Sequence, residues 1–392
     1  MLMLTPRAQS YPWGSRSLIA EMKGEPPANH PEAELWYGIH PGGPAEVDDV
    51  PLGEIIAKDP EFHLGIKCQE RFGDQLPYLL KLLAAGEPLS LQAHPSLEQA
   101  REGYARENAR GLPLDAPDRN YRDDNHKPEL IVALTPFYAM AGFRPFKRTL
   151  ELFGVLNCPT LDRYVTIADI NGDESENLRA LFTTWITIPS TARKELIDDI
   201  IAAARRVVAA GQAKQWIIET LQNLIKLEEF YPGDAGILGA LLLNFVTIAP
   251  GDAIYLDAGN LHAYCYGLGV EIMASSDNVL RGGLTAKHVD VPELVKVLNF
   301  NSIANPSIGS NNGLFEVPND EFSLQMVTVA GKTTITSAGP RVILCTGGEV
   351  TMHVGDEVQT LTPTQAVWVA AAEANDIGFG GQGQAFIASV GC

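Results

Sequence analysis

Residues 147–230, where Gly and Pro thin out, interrupt a chain that elsewhere carries dense turn signals, and this interruption limits the fold more than any other feature. Within it, ENLRALFTTW, ARKELIDDIIAAARRVVAAG and AKQWIIETLQNLIKLEEF place apolar residues three and four apart, the spacing of amphipathic helices. The middle helix is expected to begin after Pro189 and Ser190, with Ser190 as cap, and to close near Gly211. Before the block, short apolar or alternating runs are cut by turns such as HPGGP and AAGEP. After it, LLLNFVTIAPGDAIYLDAGNLHAY gives two runs around APGD, and VILCTGGEVTMHVGDEVQTLTPTQAVWVAA reads as hairpins joined by GG, GD and TPTQ. The expected class is mainly β with an inserted α-helical domain, and short strands at this spacing suggest a barrel or jelly roll. A length of 392 residues allows two or three domains. The divisions fall at 1–146, 147–230, 231–310 and 311–392.

Charge narrows the function. Lys plus Arg total 29 against 48 Asp plus Glu, a net −19 that argues against nucleic acid or an anionic membrane as partner. An anionic substrate would need a local basic cluster, since charges beyond about 8–10 Å are screened at cellular salt. No apolar run reaches the roughly 18 residues of a membrane span, and the start MLMLTPRAQSYPWG lacks the pattern of a secretory signal. A cytoplasmic address is therefore expected. Cys68, Cys158, Cys265, Cys345 and Cys392 are odd in number, scattered and without a CxxC pair, and read as reduced thiols.

Four segments set polar residues where the neighbouring sequence promises core. In LSLQAHPSLEQA, strand alternation would line Ser90, Gln92 and His94 on one face. Lys127 and Glu129 share a parity in NHKPELIVALTPF, as do His262, Tyr264 and Tyr266 in GNLHAYCYG. Glu271 and Asp277 share another in VEIMASSDNVLRGGL if the strand persists that far, with Arg281 following. A divalent metal resolves the pattern: Gln92, His94, Glu129 and His262 supply an amide oxygen, two neutral imidazoles and one carboxylate, a set suited to Zn²⁺. The single negative charge leaves the ion at net +1, still a Lewis acid. The ordinary reading of a lone strand His is a hydrogen-bonded core or surface residue, and His30, His40, His63, His288 and His353 are left in that class. Lys127 and Arg281 read equally as surface charges, and Glu271 and Asp277 as solvated carboxylates. Trp36 in AELWYGIHPGGP reads as a core aromatic with Glu34 its solvent-facing neighbour.

SLQAHP, YRDDNHKPELIVALTPF, AGFRPF and LHAYCYGLGVEIMASSDNVLRGGLT resemble the signature segments of type I mannose-6-phosphate isomerases, zinc-dependent aldose–ketose isomerases. YPWGSRSLIAEM, AELWYGIHPGGP, LPYLLKLLAAGEPLSLQAHP and the closing hairpins follow in the family's order, so the resemblance covers essentially the whole chain, most weakly in the helical block. It implies a cupin-type (jelly-roll) double β-domain architecture. In that architecture 1–146 and 231–310 form the catalytic cupin domain, 147–230 the helical insertion and 311–392 a cupin-like β domain. It implies one Zn²⁺ per chain on Gln92, His94, Glu129 and His262, in a monomer. It also places Trp13, Glu34, Lys81, Ser90, Lys127, Tyr264, Glu271, Asp277, Arg281 and Lys287 around a sugar phosphate pocket.

The implied reaction interconverts mannose 6-phosphate and fructose 6-phosphate through an enediolate stabilised by the metal and Arg281. Glu271 and Asp277 are the carboxylate candidates for the base and Lys127 the amine candidate, with Lys127 and Glu271 preferred, and Ser90, Lys81, Arg281 and Lys287 are the phosphate partners. Leu261 and Ala286 stand where the family commonly has Pro, and Pro12 where it has Ala; these changes touch loop stiffness and substrate breadth rather than reaction type. A non-catalytic sugar-binding cupin and a cupin iron oxygenase are the alternatives, and Gln92 with the Lys and Arg set fits an isomerase of an anionic sugar better than either.

Overall fold

The structure, a computed structural model, describes residues 1–169 and 171–391. Mostly β with helices, it contains, among the described residues, an 11-stranded and an 8-stranded sheet. The axis of the larger sheet is the strand His262–Ala274. Its part 267–274 runs antiparallel between Tyr78–Ala85 and Glu129–Ala133. Its start is paired differently: His262 opposes Gln92 on one flank and Ala141 on the other, after a register slip between Tyr264 and Tyr266. Gly267 lies at this change with φ +131°, and a Cβ there would stand 2.6 Å from the Phe137 ring, so the bend needs glycine.

Alternation along these strands sorts two environments. Tyr78, Leu80, Leu82 and Ala84 pack with Leu130, Val132, Val270 and Ile272, while Lys81 and its same-parity neighbours face the other way. The apolar face joins a core shared with Val342, Leu344, Trp368 and Phe386 of the smaller sheet and with Phe322 just before one of its strands. The chain's first strand, Leu2–Leu4, pairs with 366–368 of that smaller sheet, so segment 1–146 contributes to both.

In the smaller sheet the GG pair is not a turn. Arg341–Val354 runs through it as one strand, with a register slip between Cys345 and Gly347 and Gly348 at φ +67°. The extra residue is absorbed as a bulge because both halves keep pairing with Asp376–Ser389. GD does turn the chain, into Glu357–Leu361, and TPTQ leads on to Ala366–Val369.

The helical block forms as its periodicity requires. Phe146–Leu156, Glu174–Ile186, Ser190–Ala210 and Gln215–Phe230 pack around Leu152, Phe182, Trp185, Ile197 and Leu221, and cover Met140, Phe143, Leu243 and Leu280 of the strands. Ser190–Ala210 closes at Gly211 in the left-handed conformation, as expected. Its start differs: Pro189 takes the cap position in extended backbone and Ser190 is already helical, so no side chain caps this end. Among the described residues, no helix is long and apolar enough to cross a membrane. Cys158, Cys265 and Cys345 are buried free thiols, Cys68 is buried, and Cys392 lies outside the described residues.

Candidate active site

Strand register brings distant residues together, because residues directly opposite in neighbouring strands share a face. One row is Trp36, Lys81 and Glu271; another is Arg281, Gln92 and His262. Glu129 opens its strand opposite Met273. His94 follows the short strand Leu91–Ala93.

Backbone carbonyls aim both imidazoles. His94 Nδ1 is 2.6 Å from the carbonyl of Asn278 and His262 Nδ1 is 2.9 Å from that of Asn260. With Nδ1–H donating there, each Nε2 presents a lone pair, the tautomer that metal-binding histidines need. Both Nε2 atoms lie 3.3 Å from Glu129, one from each carboxylate oxygen, and the three candidate ligand atoms fall within 4.8 Å of one another. Among the described residues, His94 Nε2, His262 Nε2 and Glu129 Oε2 are nevertheless buried without a hydrogen-bond partner. Converging acceptors with no donor between them are costly in a dry interior, and a divalent cation relieves that cost for all three at once. Burial pushes the His94 imidazole down to about 4, so it is neutral, as a ligand must be. Burial alone would raise the Glu129 carboxyl, but the positive charge around it, the Lys127 ammonium 3.2 Å away included, holds it well below the usual range.

Beside this cluster runs a buried charge chain. Lys81 Nζ lies 3.4 Å from Glu34 and 3.2 Å from Glu271, and Trp36 Nε1 donates to Glu34 at 2.8 Å. Burial would discharge Lys81, but Glu34, Glu271 and Glu129 together raise it and keep it an ammonium. Burial raises the Glu271 carboxyl, with Lys81 opposing. Burial, then Glu271 and Glu129, raise the Tyr264 phenol far above its ordinary value.

All of this faces a pocket of about 350 Å³. Lys81, Gln92, Lys127, Glu129, Tyr264 and Glu271 form part of its lining, as do Trp13, Glu34, Ser90, Asp277, Arg281 and Lys287, while His94 and His262 are not in the wall. Burial and mutual repulsion with Arg122 lower Arg281 from its ordinary value; burial, Arg281 and Arg122 do the same to Lys287. Among the described residues, none of these three cations pairs with a carboxylate. This is the local basic cluster that an acidic protein needs to hold an anion.

Residues 1–146 match the model of the phosphomannose isomerase type I catalytic domain. Over 387 residues the chain is 36% identical to the mannose-6-phosphate isomerase of Escherichia coli (strain K12), covering 95% of each. It is 30% identical to mannose-6-phosphate isomerase 1 of Arabidopsis thaliana, over 93% of this chain and 88% of that one. A crystal structure of zinc-bound mannose 6-phosphate isomerase superposes with a TM-score of 0.88 at 32% identity, covering 100% of this chain and 99% of the other.

The chain belongs to the type I mannose-6-phosphate isomerase family. It is an aldose–ketose isomerase, and its cofactor is zinc.

Several positions depart from the expectations. The central strand ends at Ala274, so Asp277 does not share the strand parity of Glu271; it and Arg281 arrive through the loop 275–279 and the strand Leu280–Gly283. Glu34 is buried, because its carboxylate is paired with Lys81 and Trp36 rather than with solvent. Trp36 is buried but also lines the pocket. Tyr11 and His40 line it too and were missed; Tyr11 stacks on Trp13 at 5.5 Å, and His40 Nε2 is 3.2 Å from Asp277. The His40 hydrogen bond is the main cause holding Asp277 below the usual carboxylate range. Their signal was parity with Trp13 and position in HPGGP, neither of which marks a site without the third dimension. His63 is the bonded core histidine expected, accepting from Trp368 Nε1 at 3.2 Å.

Proposed function

We propose that the protein interconverts mannose 6-phosphate and fructose 6-phosphate, with Gln92, His94, Glu129 and His262 holding one zinc ion. The observation that carries the assignment is the set of three buried acceptor atoms without donors beside a pocket lined by unpaired cations. Gln92 completes the set because register places it opposite His262. Zinc held by these residues would supply a Lewis acid to the reaction.

The remaining steps belong to side chains. Lys287 and Ser90 take the phosphate, and Trp13 and Asp277 border the sugar. Arg281, opposite Gln92 in register, faces the negative charge that develops on the oxygens as the enediolate forms. Glu271 takes the proton from C2 and returns it to C1, while the hydroxyl proton passes from O2 to O1. Burial moves this carboxyl toward neutral pH, where a base both accepts and releases a proton, whereas Lys127 is committed to Glu129. Tyr264, Lys81 and Glu34 fix the charge and orientation of Glu271.

The architecture is read as two cupin-type β units. Residues 1–146 and 231–310 form the catalytic one, 147–230 the helical insertion and 311–392 the second. The protein acts as a monomer in the cytoplasm, a reading supported by its net charge of −19, which opposes self-association. The test is turnover of mannose 6-phosphate by purified protein: chelator should abolish it and added zinc restore it. Sugar binding without turnover would mark a carrier, and iron with oxygen uptake an oxygenase; the lysines and arginines of the pocket favour neither.

A further inference from the structure

Arg144 belongs to the AGFRPF segment, yet it takes no part in the pocket described above. It is 1% exposed. Two of its guanidinium nitrogens donate to the backbone carbonyls of Leu243 and Leu241, and its Nε is buried without a partner among the described residues. Arg148, in the first turn of Phe146–Leu156, stacks over the Trp216 ring at 4.5 Å, and Arg144 lies 5.5 Å from the same ring. Among the described residues neither guanidinium pairs with a carboxylate, and the Arg148 side chain forms no hydrogen bond.

This is unusual in a chain with 48 acidic residues. Two like charges are held against one aromatic ring, one of them buried, and among the described residues no carboxylate pairs with either. Burial first, and then Arg148, oppose the charge on Arg144. An arginine does not relieve such stress by losing its proton; the two carbonyls and the indole ring offset it in part, and an anion in the cavity offsets it further. Both residues line a cavity of about 210 Å³ closed by Trp216, Phe245 and Asn305. That is smaller than the roughly 300 Å³ at which drug-sized sites begin, and suits a single small oxyanion with at most a short substituent. The free fork of Arg148 matches the oxygen spacing of a phosphate group.

We propose that this cavity, between the helical block and the strand Leu243–Ile248, is a second anion site that takes a phosphate group. The site is separate from the isomerase pocket and does not depend on the assignment of that pocket. Leu243–Ile248 pairs with Phe137–Phe143, whose Ala141 opposes His262, so the cavity stands two strands away from the metal cluster.

The test measures phosphate binding by calorimetry in the zinc-loaded full chain carrying Lys287→Ala, which removes the cation assigned to the phosphate in the isomerase pocket. One arm uses inorganic phosphate alone and the other mannose 6-phosphate. Binding in either arm should weaken about tenfold or more when Arg148→Gln is added, the loss of one charge-assisted contact. Ala304→Glu, at the exposed rim, should abolish it by supplying a carboxylate in place of the anion. Binding by inorganic phosphate identifies the free ion as sufficient, and binding by the ester alone identifies a phosphorylated metabolite. Equal affinity with and without Arg148, or no binding in the Lys287→Ala protein, would overturn the proposal.

Discussion

Lys81→Met removes the positive link of the buried charge chain while nearly keeping its volume. The Lys81, Glu34 and Glu271 side chains are 8%, 7% and 3% exposed, so solvent cannot replace the lost partner. Stripping one member from a buried ion pair costs about 3–5 kcal/mol. The sign of its pH dependence follows from Glu271, whose carboxyl is already raised above 4.5 by burial and opposed by Lys81. Without Lys81 it rises further, and the folded state then holds a proton that the unfolded chain has released. Stability of the variant should therefore fall as pH rises above 4.5, by about 1.4 kcal/mol per unit until the new folded value is reached. The assay is the urea midpoint of metal-free wild type and variant at pH 5 and pH 8. The gap should be small at pH 5 and approach the full cost at pH 8. A gap equal at both values, or larger at pH 5, would show that Lys81 does not neutralise Glu271.

Asn278→Ala should lower zinc affinity about 10–100-fold, read by competition with a chelator, because its side chain fastens the loop whose carbonyl orients His94. Arg281→Ala should keep its zinc yet lose about 10²–10³ in kcat, measured with mannose 6-phosphate, as expected when one donor to a developing oxyanion is removed. Zinc content should stay constant from pH 8 to about 5.5 and fall toward pH 4, where His94 accepts a proton. In the metal-free protein the same neutral imidazole makes stability decline as pH drops from 6.5 toward 4, since the unfolded chain binds the proton first; the thermal midpoint reports it.

Local pattern sufficed for some of this and not for the rest. The shared parity of His262 and Tyr264 and the helix closing at Gly211 are written in the sequence, whereas Tyr264 and Glu271, of opposite parity on one strand, both reach the pocket across the register slip after Tyr264, which no alternation announces. Lys81 stands out as a lone charge inside YLLKLLAA, but its partners depend on the pairing of three strands from distant parts of the chain. Lys127 and Asp277 are not on strands. Asn278 ties their loops together, donating to the carbonyls of Asp123 and Asn125 at 2.9 and 2.8 Å, and no periodicity announces such a knot. GG misled because a bulge and a hairpin turn ask for the same residue, and only the continued pairing on both sides distinguishes them.

The decisive measurement is zinc stoichiometry by atomic emission in wild type and His262→Ala, with circular dichroism to verify that the variant is folded. Wild type should carry one zinc per chain, and the folded variant should carry essentially none and turn over no mannose 6-phosphate. A folded variant that retains a full equivalent of zinc and wild-type turnover would contradict the account.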